Sequence, residues 1–148
     1  MNESIFGLCD DQDGGKAYTN FDDHSKWIAT VKNDNKLNLT FTAIDKCVIK
    51  DDEEPGRGRC DCMLTSTEHL YFVELKVVSK GWLTDAIGQL ESTIKFFNEF
   101  HTTSFKHKKA FVCNKSHRHF QEIDNEFNLR FFKNYGFRID VQAQIIMV

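Results

Sequence analysis

A chain of 148 residues, 41% hydrophobic and 28% charged, amounts to about one domain, burying roughly two-thirds of the surface its unfolded form exposes, and is too apolar for a disordered tail. No apolar run approaches ~18 residues and no basic-then-apolar leader opens the sequence, so it reads as neither membrane-inserted nor secreted, and a cytoplasmic location is expected. The net charge of −3 conceals two regions of opposite sign: residues 1–61 hold 8 Lys and Arg against 13 Asp and Glu, whereas residues 95–138 hold 9 against 4.

Residues 9–24, "CDDQDGGKAYTNFDDH", are polar and turn-rich and predict a loop. "DDHSKWIATVKN", 22–33, follows an Asp or Ser cap with Trp27, Ile28 and Val31 on one helical face, which predicts a short helix. "KLNLTFTAIDKCVIK", 36–50, alternates through Leu37, Leu39, Phe41 and Ala43 as a half-buried strand does. "DDEEPGRGR", 51–59, contains the only proline and predicts a second loop. "RCDCMLTSTEHLYFVELKVV", 59–78, reads as two strands joined by a turn at Glu68 and His69.

"KGWLTDAIGQLESTIKFFNEF", 80–100, spaces Leu83, Ile87, Leu90, Ile94 and Phe97 at alternating steps of four and three, which predicts an amphipathic helix over 81–101. "KKAFVCN", 108–114, is a short buried strand. "RHFQEIDNEFNLRFFKNYG" puts Phe120, Ile123, Phe127 and Phe131 on one helical face and ends at Gly136 as a C-terminal cap. "FRIDVQAQIIMV" closes the chain as a final strand.

The five cysteines are odd in number and lack a disulfide framework, as in a reducing compartment. The Cys60-Asp61-Cys62 spacing is tighter than zinc knuckles use, and regular alternation puts both thiols on the face opposite Asp61, so packed core cysteines are expected. The basic segments "FKHKK" and "NKSHRHF" carry Lys106, Lys108, Lys109, Lys115 and Arg118. Interleaved with them are His101, His107, His117, His119 and aromatic rings, a pattern that suits phosphate contacts or a solvated face.

The charges inside the apolar hairpin need a cause. Alternation puts Phe72, Glu74 and Lys76 on one face of the second strand, and Tyr71, Val73, Leu75 and Val77 on the other. If Asp61 pairs across the hairpin near them, two carboxylates and an ammonium converge at one end of the sheet. Such a grouping is costly in an apolar setting unless a divalent cation with oxygen ligands offsets the repulsion.

Asp61, a spacer of 12 residues and Glu74-Leu75-Lys76 resemble the signature of the PD-(D/E)XK nuclease superfamily, and the order strand, turn, strand, amphipathic helix, strand is similar to that family's core. The resemblance implies a single α/β domain over 1–148 with the restriction-endonuclease-like fold, a central mixed β-sheet flanked by helices. It implies that Asp61 and Glu74 ligate Mg²⁺, with Mn²⁺ able to substitute, that the Leu75 carbonyl adds a ligand, and that Lys76 orients or activates the attacking water. Gln89 resembles a glutamine that some exonuclease-like branches carry on the helix after the hairpin.

The sequence departs from the family at Cys60, where the name's proline stands, and at the first helix, where only Asp22 and Asp23 are available as a supporting acid. Glu3, Asp45 and Glu91 are the alternatives for that role. The function so implied is metal-dependent hydrolysis of phosphodiester bonds, in DNA ahead of RNA, in a restriction, repair or mobile-element defence setting. The competing expectation is a catalytically inactive module on the same fold that binds a partner protein or nucleic acid. Cutting both strands of a duplex would favour a homodimer.

Overall fold

In a computed structural model the chain is an α/β structure with two mixed β-sheets and two helices. The structure describes residues 1–44, 60–77, 81–100, 105–116 and 125–148. The expected loop at 51–59 lies outside the described residues, as do Asp45, Cys47, His101, His117, Arg118, His119, Phe120 and Ile123.

The larger sheet has five strands. β4 (Thr40–Ala43), β5 (Cys62–Thr65) and β6 (His69–Lys76) form an antiparallel meander. Helix α1 (Trp82–Phe100) then crosses over to β7 (His107–Asn114), which runs parallel to β6, and after α2 (Asn125–Tyr135), β8 (Arg138–Val141) continues the parallel half. β6 is the middle strand, and seven of its eight residues are buried. A strand covered on both faces needs the near-continuous apolar run that "HLYFVELK" supplies, and Glu74 stands out within it.

The helices cover one face. Trp82, Ala86, Leu90 and Ile94 of α1 and Phe131 of α2 pack on Leu70, Phe72, Ala110, Val112 and Ile139. Of the stripe expected for α1, Leu90 and Ile94 lie in this core and Leu83, Ile87 and Phe97 pack at its margin, while Trp82 and Ala86 complete the buried face. Each fully buried Leu, Ile or Phe contributes about 1.5–3 kcal/mol of transfer free energy. α2 ends where expected: Gly136 adopts φ +79° and donates its N–H to the Phe132 carbonyl at 2.7 Å.

The second sheet covers the other face, and the sequence did not reveal it. β1 (Ile5–Cys9) lies between β2 (Tyr18–Asn20) and β3 (Ala29–Lys32), both antiparallel to it, and β9 (Gln144–Ile146) runs parallel to β3 at the edge. Phe6, Leu8, Val31 and Ile145 pack on Leu64, Tyr71, Val73 and Phe111.

Three expectations are corrected. Residues 22–33 form a 3-10 turn, His24–Lys26, followed by β3 rather than a helix; Ala29 and Val31 alternate inward and β3 has ladder partners on both sides, which outweigh the weak helical spacing. The loop expected over 9–24 contains β2. The tail is two strands in different sheets: Gln142 still donates to Val112 of the large sheet, whereas the Ala143 carbonyl already accepts from Thr30 of the small one. The small sheet also depends on Gly7, because a Cβ there would lie 2.0 Å from the indole of Trp27. Among the described residues, no helix is long and apolar enough to cross a membrane.

Candidate active site

The end of β6 brings the charged residues together. Leu70 and Phe72 point to the helices while Tyr71, Val73 and Leu75 point to the small sheet, so Glu74 and Lys76 share the helix-side face, as alternation requires. Glu74 is 2% exposed. The Lys76 ammonium lies 4.0 Å from its carboxylate and is itself partly exposed, so one end of the pair is reachable from solvent.

Asp61 sits at the mouth of β5, one position before the Cys62–Val73 pair, which places it opposite Glu74 in register. The ladder breaks there. The next backbone pair would be Cys60 with Leu75, but Leu75 donates its N–H to Asp61 Oδ2 at 2.7 Å and Cys60 donates its N–H to Thr93 Oγ1 at 2.7 Å. Thr93, buried on α1, donates its hydroxyl to the Gln89 carbonyl at 3.0 Å. The Leu75 carbonyl, which faces the β5 side, thereby loses the Cys60 N–H that a regular antiparallel ladder would give it.

This break corrects the expected cysteine geometry. Cys60 packs among the helix-side residues and Cys62 among the sheet-side residues, on opposite faces, because the chain bends at Asp61 between them. Cys9, Cys60, Cys62 and Cys113 are free and buried. Burial pushes the thiols of Cys60, Cys62 and Cys113 up, and the charges of Asp61 and Glu74 push each further.

A third carboxyl comes near that the sequence did not single out. Asp10, directly after β1, lies close enough to Asp61 for the two carboxyls to act on each other. Its carboxyl is raised above the usual range near 3.8, first by burial and then by the Asp61 charge, against the lowering effect of the Gln12 N–H on its Oδ1 at 2.9 Å. The residues weighed for this role stand elsewhere. Glu3 is exposed at the opposite end of β1, Asp22 is exposed, and Asp23 caps the 3-10 turn. Glu91 pairs with Lys95 at 3.5 Å on the surface of α1. Gln89 is half-buried on α1, one turn before Thr93.

The basic residues divide between the two ends of β7. Lys115 follows the C-terminal end, donating its backbone N–H to the Lys76 carbonyl and its ammonium to the Ser25 carbonyl. Lys106, Lys108 and Lys109 sit at the N-terminal end, where Leu70 pairs with Lys108 and Tyr71 with Lys109, away from the carboxylates. Lys106, Lys108 and Lys109 therefore stand at the end of β7 remote from the carboxylates, with Lys115 alone among the described basic residues of these segments at the acidic end.

Among the described residues, no three His, Cys, Asp or Glu side chains close into a metal cage. The donors that fit a divalent cation are the neighbouring Asp10 and Asp61 carboxyls, whose mutual repulsion a cation relieves, and the Leu75 carbonyl released from the ladder; Glu74 stands in the register position opposite Asp61. No family model matches the chain, and no match was found among curated proteins or among solved structures.

Proposed function

We propose that this protein is a metal-dependent nuclease of the PD-(D/E)XK kind, hydrolysing phosphodiester bonds, in DNA ahead of RNA, at the end of the sheet that holds Asp61, Glu74 and Lys76. The observation that carries the reading is the Asp61 to Leu75 hydrogen bond, which fixes an acidic side chain beside Glu74-Leu75-Lys76 at a deliberate break in the ladder. The meander of β4, β5 and β6, followed by α1 and the parallel strand β7, supports it because that order is similar to the nuclease core. The carboxyl ends of parallel strands are also where open α/β sheets place their ligands.

In this reading Asp61, Asp10 and the Leu75 carbonyl would hold Mg²⁺, or Mn²⁺ in its place, and Glu74, opposite Asp61 in register, would be drawn in to complete the set when the ion binds. Such an ion, when bound, neutralises phosphate charge and acidifies a water molecule. Asp10 takes the supporting role for which the first helix offers no glutamate. Lys76 holds a positive charge next to Glu74, placed to orient the attacking water and to steady charge developing on the phosphate. Thr93 holds the bend at Cys60 and so aims Asp61.

The test is incubation of purified protein with supercoiled, linear and single-stranded DNA, and with RNA, in Mg²⁺, Mn²⁺ or EDTA, beside Glu74→Gln. Cleavage that needs the metal and Glu74 is expected. Retained nucleic-acid binding with no cleavage in either metal would overturn the catalytic reading in favour of a binding module.

A further inference from the structure

The end of the large sheet remote from the carboxylates carries an open cleft of about 420 Å³, lined by Phe105, Lys106, Lys108, Phe132, Gly136 and Arg138 among others. We infer that this cleft is a second nucleic-acid site, which takes one nucleotide of a single strand, its phosphate on Lys106, Lys108 and Arg138 and its base on the Phe132 platform. The inference rests on the nucleic-acid part of the proposed function but not on hydrolysis.

Three observations carry it. Charge is the first. Lys109 is neutralised by Asp140 at 3.5 Å, but among the described residues Lys106, Lys108 and Arg138 have no carboxylate partner. Three unneutralised cations around one concavity select a phosphate-bearing ligand.

Shape and preorganisation are the second. The Lys108 ammonium lies 5.3 Å from the centre of the Phe137 ring and against Gly136, where a Cβ would approach it to 2.7 Å. Glycine at 136 thus serves both the left-handed backbone and the seat of this cation, which the C-terminal end of α2 also favours. His107, in the cleft wall, is fixed by stacking on the buried His69 at 4.7 Å.

The third is an aromatic surface without a structural use. Phe132 is 47% exposed on α2, and the Arg138 guanidinium lies 5.3 Å from its ring centre. A phenyl ring backed by a planar cation is a stacking platform, and stacking needs an uncovered base face, which a single strand offers and a duplex withholds. The volume falls within the ~300–1,000 Å³ of small-ligand sites, enough for one nucleotide unit rather than a groove-wide duplex contact. Lys108 pairs with Leu70, four residues before Glu74 on the neighbouring strand, about 13 Å at the rise of a strand. One strand can therefore reach both ends of the sheet.

Fluorescence anisotropy of a short labelled oligo(dT), in EDTA so that no cleavage occurs, tests the site. Phe132→Ala is expected to weaken binding about tenfold or more, with Phe132→Trp restoring it, since one stacked base is worth ~1–3 kcal/mol. Arg138→Gln and Lys108→Gln are expected to weaken binding and to flatten its salt dependence. Lys36→Gln, an exposed lysine that belongs to neither the cleft nor the carboxylate end, is expected to bind oligo(dT) as the wild type does, and because this assay runs in EDTA a failed nuclease assay and a failed binding assay remain distinct results. Unchanged affinity in Phe132→Ala, equal affinity for duplex, or polyglutamate competing as well as oligo(dT) would overturn the inference.

Discussion

The Asp61 carboxylate accepts the backbone N–H of Leu75 at 2.7 Å, taking a position in the sheet that the Cys60 carbonyl would hold in a regular ladder. A side chain thus substitutes for backbone at the one place where the strand carrying Glu74 and Lys76 reaches its charged end. The acid is aimed by the sheet itself.

Asp61→Ala and Asp61→Asn should therefore separate structure from charge. The alanine variant leaves the Leu75 N–H without its acceptor and is expected to cost about 1–3 kcal/mol in urea unfolding. The asparagine variant keeps an oxygen for that bond, so it is expected to retain stability while losing Mn²⁺ binding in calorimetry. Equal loss of stability in both would show that the carboxylate charge, not the hydrogen bond, holds the bend.

Thr93 acts one step further back. Its hydroxyl accepts from Cys60 and donates to Gln89, so Thr93→Val, nearly the same size, removes both bonds and leaves the buried Cys60 N–H unsatisfied. A loss of about 1–3 kcal/mol is expected, together with weaker Mn²⁺ binding through a misplaced Asp61. Thr93→Ser, which keeps the hydroxyl, should recover the metal affinity; failure to do so would reduce Thr93 to a packing residue.

What the sequence disclosed follows from which forces are local. The faces of β6 were legible because side chains alternate with a period of two, and α1 because five apolar residues keep one helical stripe. The helix read into 22–33 failed because Trp27, Ile28 and Val31 satisfy a helix pattern over too few turns, while the bonds that decide the segment come from β1 and β9. Asp10 was hidden for the same reason. It stands in a run of aspartates and glycines that reads as a turn, and only the long-range packing of the small sheet on the large one carries it to Asp61. The break at Asp61 had a faint trace in the two cysteines flanking an acid, but alternation, the rule that served β6, gave the wrong face for Cys60.

Asp10 should also mark the stability of the protein against pH. Its folded carboxyl is raised above the ordinary value near 3.8, by burial and then by Asp61. The folded state therefore holds a proton that the unfolded chain has released, and stability from this group falls as pH rises through the interval above 3.8. Asp10→Asn is expected to gain stability over wild type as pH increases through that interval, and Mn²⁺ should narrow the difference near neutrality by shielding the carboxyl pair. Urea midpoints that run parallel across the same pH range would show that Asp10 and Asp61 do not repel one another.

Lys76 offers the sharpest separation between a working nuclease and an inert protein of the same fold. It lies 4.0 Å from the buried Glu74 and is itself partly exposed, so Lys76→Ala should still fold but with a lowered urea midpoint, because the buried carboxylate loses a counter-charge. If its ammonium serves the water or the charge developing on the phosphate, cleavage should fall by about 10²–10³, the loss seen when one positioned stabiliser is removed. Mn²⁺ affinity should hold or rise, because a competing cation has left the carboxylates. Glu74→Gln should behave differently and lose metal and cleavage together. A Lys76→Ala protein that cuts at the wild-type rate would make the ammonium no more than the buried carboxylate's counter-charge, and the water would then have to be oriented by another group at the same end of the sheet.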